Sequence, residues 1–224
     1  MAILRRFPYP QLMPSRFDSV IFDLDGTLWD ASAAITRAFQ AAKNSVDYIE
    51  NDVTLAQVQA VTGQPYTVVY ERLFPNLPAS KLEEYRALCA HQELAAAEQH
   101  GGVLYPGLAA TLRYLQKEGY RLFIVSNCQL GYVEAFFKHS QLGHYFEGHQ
   151  CFGTRLLPKA ENIREIIAQY GLHAPVYVGD TLGDLTASRT AAVPFIFATY
   201  GFGRLDDAEA PSRINQLADL EQLL

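Results

Sequence analysis

Cysteine is scarce in this chain of 224 residues: Cys89, Cys128 and Cys151 are odd in number, far apart and without a CxxC spacing. That excludes a disulfide framework and a thiolate zinc site, and makes a reducing compartment the expectation. Long apolar runs are missing too. No stretch approaches the roughly 20 residues a membrane-spanning helix requires, so no membrane partner is expected. Positive charge is in deficit, with 18 basic against 24 acidic side chains and a net charge of -6. This disfavours broad contact with nucleic acid or anionic lipid and leaves room for a local basic pocket that holds one anionic group. After Met1-Ala2-Ile3-Leu4-Arg5-Arg6 come Pro8, Pro10 and Pro14 where a signal peptide would carry its apolar segment, so a cytoplasmic location is expected. Glycine (15) and proline (11) stand at ordinary levels, which excludes a collagenous or low-complexity chain.

What is present is a globular balance, 49% apolar and 19% charged. A chain of this length can bury about 70% of its extended surface, enough for a core without covalent staples. Short runs that are apolar at every position recur: Val20-Ile21-Phe22, Leu122-Phe123-Ile124-Val125, Val176-Tyr177-Val178 and Phe195-Ile196-Phe197-Ala198. Such runs suit strands covered on both faces, as in a parallel sheet. Between them lie helical patterns, Leu108, Leu112 and Leu115 before Gly119, and Ile163, Ile166, Ile167 and Tyr170 before Gly171. Each glycine can close its helix in the left-handed conformation. The alternation predicts an α/β fold with right-handed crossovers around a Rossmann-like parallel sheet.

From Asp30 to Gly102 that alternation stops and only helical patterning remains. Ser80-Lys81-Leu82-Glu83 has the S-x-x-E form of a capping box and predicts a helix running to about Gln99. The block reads as a helical cap over residues 30–102, inserted into a core made of residues 1–29 and 103–224, with Gly101-Gly102 as the return linker. Leu217, Leu220 and Leu223 suggest a final docking helix.

The first predicted strand runs into Asp23-Leu24-Asp25-Gly26-Thr27, and the third into Gly179-Asp180-Thr181-Leu182-Gly183-Asp184. Carboxylates at the carboxyl ends of parallel strands stand where open α/β sheets build their sites. An unpaired buried carboxylate is costly, so these residues read either as turn and cap residues or as a metal and acid/base cluster. The strand ending in Ser126-Asn127 adds short donors suited to a phosphoryl oxygen, and Lys159 adds a cation. Oxygen ligands with one lysine suit Mg²⁺ and phosphate better than zinc.

With four such segments in order, the chain resembles the haloacid dehalogenase superfamily, with an inserted cap like that of phosphoglycolate phosphatase and β-phosphoglucomutase relatives. Asp23 to Thr27, Ser126, Lys159, and Gly179-Asp180 through Asp184 match its four motifs. The resemblance implies a Mg²⁺-dependent phosphatase acting on a small phosphorylated metabolite. By that resemblance Asp23 is the nucleophile that carries an aspartyl-phosphate, and Asp25 the acid and base. Ser126 and Lys159 steady the phosphoryl oxygens. The Asp23 side chain, the Asp25 carbonyl and Asp180 hold the ion, with Asp184 behind them. Thr27 and Asn127, with Gly63 and Gln64 of the cap loop, are the expected substrate contacts. The third motif often reads Lys-Pro, whereas here it is Pro158-Lys159-Ala160, and Arg155 is the other cation nearby. A β-phosphoglucomutase-like isomerase and a non-enzymatic binding protein of the same fold are the rival readings. The isomerase would want a cation in the cap loop, where Val61 to Pro65 has none, with Arg72 and Arg86 as substitutes. Trp29, where the chain leaves for the cap, is expected to pack across the hinge.

Overall fold

The computed structural model describes residues 17–224, so the expectation drawn from Met1 to Pro14 lies outside the described residues. Strand β1 (Ser19–Phe22) leads through a tight loop to β2 (Trp29–Asp30). Four helices follow: α1 (Ser32–Lys43), α2 (Leu55–Val61), α3 (Tyr66–Leu73) and α4 (Ala79–Gln99). The chain returns through β3 (Val103–Leu104), antiparallel to β2. It continues as α5 (Leu108–Lys117), β4 (Arg121–Ser126), α6 (Tyr132–Ser140), β5 (Gly148–Cys151), α7 (Phe152–Arg155), α8 (Lys159–Tyr170) and β6 (Pro175–Gly179). It ends with α9 (Leu182–Ala191), β7 (Phe195–Ala198), β8 (Arg213–Ile214) and α10 (Leu220–Leu223).

Six strands form one sheet in the order β5-β4-β1-β6-β7-β8, every neighbouring pair parallel. The chain leaves β1 for β4 on one side and later returns to β6 on the other. The carboxyl end of β1 is therefore the switch point where a crevice opens. Side chains alternate between the faces as a period of two requires. Val20, Phe22, Leu122, Ile124, Val176 and Val178 meet the layer that contains α5 and α6. Ile21, Phe123, Val125 and Tyr177 meet the layer that contains α8 and α9. Burial on both faces is the reason these strands are apolar at every position, and all four predicted runs are strands.

The block between β2 and β3 is helical, as expected, and Phe39, Val58, Tyr70, Tyr85 and Cys89 form a hydrophobic cluster of its own. Two helix details differ from the sequence reading. Ser80 caps nothing: α4 starts at Ala79 after Pro78, whose φ of -55° already sets the entry, so Ser80 falls inside the first turn. Thr54 with Gln57 at α2 and Thr181 with Asp184 at α9 make reciprocal caps instead. At the tail, Leu217 and Leu220 are buried while Leu223 is 44% exposed, because the final helix is a single turn too short to turn all three inward. Gly119 and Gly171 both have positive φ at helix ends, as expected. Trp29 is fully buried and meets Tyr132 and Phe136 edge-on, with ring centroids 5.7 and 5.1 Å away, so it packs as predicted. Among the described residues no helix is long and apolar enough to cross a membrane.

Candidate active site

The three acidic residues Asp23, Asp180 and Asp184 converge at the switch point, with one oxygen of each within 4.8 Å of the others. Asp23 follows β1, Asp180 follows β6, and Asp184 lies in the first turn of α9. The amine of Lys159, the first residue of α8, donates to Asp23 Oδ1 at 2.8 Å and to Asp184 Oδ1 at 2.5 Å. All four side chains are withdrawn from water. Arg155, the other candidate cation, pairs with Glu165 at 2.6 Å. Lys159 is therefore the cation of the cluster.

The positioning of each group has a local cause. Asp184 Oδ2 accepts from the Thr181 backbone N–H at 2.9 Å, closing the α9 cap, while Tyr177 Oη donates to Oδ1 at 3.3 Å. Asp180 accepts from the Phe202 backbone N–H at 2.8 Å and from Thr27 Oγ1 at 3.3 Å. It sits in a cradle only glycines permit. A Cβ on Gly26 or Gly201 would stand 2.2 or 2.3 Å from Asp180 side-chain atoms, and Gly26 also has φ of +88°. Asp25 is half-buried and accepts from Tyr132 Oη at 3.0 Å. Ser126, the last residue of β4, accepts the Cys128 N–H at 3.3 Å.

Burial and the Asp184 charge raise the Asp23 carboxyl to about 6 against the opposing pull of Lys159. Burial and the Asp23 charge raise Asp25 to about 7. Burial, then Asp184 and Asp23, push Asp180 well above the usual carboxylate range. Burial works against the Lys159 ammonium, but Asp184 and Asp23 outweigh it and hold its pKa above the ordinary lysine value. Three buried carboxylates against one ammonium leave an excess of negative charge that calls for a cation. The donor set is all oxygen, and Asp23 Oδ2 is buried without a partner. These residues fit a hard divalent ion.

A cavity opens above Asp23 and Asp25, lined by Ser126, Asn127, Gly63 and Gln64 among others. Asn127 Nδ2 donates to the Gly63 carbonyl at 2.8 Å, tying the strand end to the loop between α2 and α3. Thr27, expected at the substrate, is fully buried and turned to Asp180 instead of the cavity.

Several lining residues were not foreseen. Glu93 of α4 is buried and accepts from Tyr70 Oη at 2.7 Å and from Gln129 Nε2 at 2.9 Å. It falls one turn after Cys89 and two after Tyr85 on the buried face of α4, so a carboxylate on an apolar stripe was the signal available. Tyr132 carries no such signal, and Phe202 lies in the glycine-bearing stretch Tyr200-Gly201-Phe202-Gly203 that follows the last apolar run. They reach the site through loop and helix geometry.

The sheet and its buried acidic cluster define an α/β enzyme whose site is built at the ends of parallel strands. The chain belongs to the haloacid dehalogenase-like hydrolases, whose family model matches residues 20–198. It is similar to the phosphoglycolate phosphatase of Aliivibrio fischeri, 30% identical over 195 residues, which span 82% of this chain and 84% of that protein. A 5'-nucleotidase of Pseudomonas aeruginosa is 27% identical over 216 residues, spanning 93% and 94% of the two chains. The crystal structure of a predicted phosphoglycolate phosphatase from Haemophilus somnus shares the fold, with a TM-score of 0.83 and 20% identity over 94% of this chain and 99% of that one. The class of this chain is thus that of a hydrolase, similar over most of its length to proteins named as phosphatases.

Proposed function

We propose that the protein hydrolyses a small phosphate monoester through an aspartyl-phosphate on Asp23, with Mg²⁺ as its cofactor. The observation that carries this reading is Asp23 itself. It forms the floor of the cavity, Lys159 holds one of its oxygens, and the other is buried without a partner.

An Asp23 oxygen attacks phosphorus while the bond to the leaving alcohol breaks. Asp25 gives its proton to that departing oxygen, and later takes one from the water that cleaves the acyl phosphate. A carboxyl raised to about 7 suits both tasks near neutral pH, and Tyr132 fixes its orientation. Ser126 and Lys159 neutralise charge on the phosphoryl oxygens. Asp184 braces Lys159. The side chains of Asp23 and Asp180 and the carbonyl of Asp25 would hold Mg²⁺, with Asp184 behind them. When bound, such an ion would screen the carboxylates from the incoming phosphate and offset charge on it.

Residues 30–102 act as a cap on the core, a division that their separate hydrophobic cluster supports. Gly63, Gln64 and Asn127 border the substrate. Water is the acceptor in place of a sugar hydroxyl, because a mutase needs a cap cation for its second phosphate. Arg72 is exposed, Arg86 pairs with Glu83, and neither lines the cavity. The test is phosphate release by wild type, by Asp23→Asn, and by wild type stripped with chelator and then restored with Mg²⁺. Turnover that survives in Asp23→Asn, or in metal-free protein, would sink the reading.

A further inference from the structure

The upper half of the cavity is built unlike the floor. Ile35, Phe39, Val58, Val61, Tyr66 and Val69 line it from the helices between β2 and β3, and Phe202 faces them from the core. Among the described residues no lysine, arginine or histidine lines the cavity. All five lysines and arginines of the helical block are accounted for elsewhere. Lys43 pairs with Asp52, Lys81 with Glu84 and Arg86 with Glu83, while Arg37 and Arg72 are exposed to solvent. The only charged side chain that block contributes to the lining is the carboxyl of Glu93.

We propose that the leaving group of the substrate is an uncharged alcohol with an apolar, ring-bearing face, and that this cavity selects against a second anionic group. The inference rests on the phosphatase reading above. A carboxylate or second phosphate carried on the leaving group would be removed from water with no counter-charge. It would also face the Glu93 carboxylate, so like-charge juxtaposition rejects it. An aromatic or aliphatic face meets the opposite situation. Phe39, Tyr66, Tyr132 and Phe202 offer rings against which it can pack while displacing water. Glu93 is thus a specificity-determining residue. Its two hydrogen bonds hold its carboxyl over the cavity, where the charge counts against acidic leaving groups. Among the described lining residues no cation stands ready to receive the carboxylate of a substrate such as phosphoglycolate.

The experiment compares kcat/KM of the full chain with Mg²⁺ on three monoesters: phosphoglycolate, its uncharged isostere phosphoglycolamide, and benzyl phosphate. The amide isolates charge at constant size, and benzyl phosphate adds the ring. We expect the amide to exceed phosphoglycolate by about tenfold, the scale on which a pocket discriminates, and benzyl phosphate to exceed the amide. Glu93→Gln, assayed at pH 8, is expected to narrow the gap between amide and acid several-fold by raising the rate on the acid. Phosphoglycolate turned over as fast as the amide or faster, with Asp23→Asn inactive, overturns the inference and leaves the phosphatase reading standing. An unchanged ratio in folded Glu93→Gln removes that residue from the selection. No phosphate from any of the three would remove the phosphatase reading together with the inference.

Discussion

The floor and the roof of one cavity follow opposite rules. Beneath the floor residue Asp23, two further carboxylates and the Lys159 ammonium are packed into a region closed to water, where Lys159 makes two ion pairs. The roof is aliphatic and aromatic, with one carboxyl held by neutral donors. Charges arranged before the substrate arrives suit a reaction in which charge moves between phosphorus, carboxylates and water. Apolar walls suit the choice of what that phosphorus is attached to. Chemistry and selection are therefore separable in this molecule, and substitutions should divide cleanly between kcat and KM.

The largest effect is expected at the floor. Asp23→Asn should lower kcat by at least about 10³-fold, since loss of a nucleophile removes the reaction path and not one contact. Binding of orthophosphate with Mg²⁺, measured calorimetrically, should persist, because the amide keeps the shape of the site. Asp25→Ala should follow with a loss of about 10²-fold in kcat and little change in KM, the usual scale of a general acid. A rise in KM with kcat intact would move Asp25 from the chemistry to binding.

A third prediction concerns the roof through its one charge. Burial raises the Glu93 carboxyl to about 7, partly opposed by Tyr70 and Gln129. Its folded pKa lies above the unfolded value near 4.5, so the folded state binds the proton more tightly. Stability from this group is fully present below pH 4.5 and is lost as pH rises through 7. The loss is on the order of 3 kcal/mol. Tyr66, Tyr70, Tyr132 and Cys89 around it are all pushed upward and stay neutral over that range. Thermal unfolding of Glu93→Gln beside wild type should show wild type falling behind between pH 5 and pH 8. Parallel curves would mean that Glu93 meets water in the folded state.

The two halves also differed in how far the sequence revealed them. Floor residues follow apolar strands, and a strand covered on both faces leaves a run such as Val176-Tyr177-Val178 that points at Asp180. The edge strand β5 leaves no such run: Gly148-His149-Gln150-Cys151 pairs on one side only, with β4, and is half polar. The roof is assembled from single residues on four helices and a loop. Glu93, Tyr70 and Gln129 stand 23 and 36 positions apart in their hydrogen bonds, and no spacing rule links them. Thr27 shows a further limit. Its place beside Asp25 gave no sign of which way the side chain turns, and the tight loop at Gly26 sends it to Asp180.

The smallest effect is expected where floor and roof join. Asn127 stands at the end of β4 and donates from Nδ2 to the Gly63 carbonyl at 2.8 Å, while its backbone carbonyl accepts from the Tyr66 N–H at 3.2 Å. Only the first of these bonds depends on the side chain. Its Oδ1 is buried without a partner beside the cavity, so it can also accept from a substrate hydroxyl. Asn127→Ala removes the side-chain bond and keeps the backbone one. A hydrogen bond of this kind contributes about 1 kcal/mol net, which corresponds to about fivefold in an equilibrium constant. Because the bond holds the roof in place and takes no part in proton or phosphoryl transfer, KM should rise about fivefold while kcat stays within about twofold. A fall in kcat approaching that of Asp25→Ala, with KM unchanged, would show that Asn127 works with the floor and that the division between the halves runs above it.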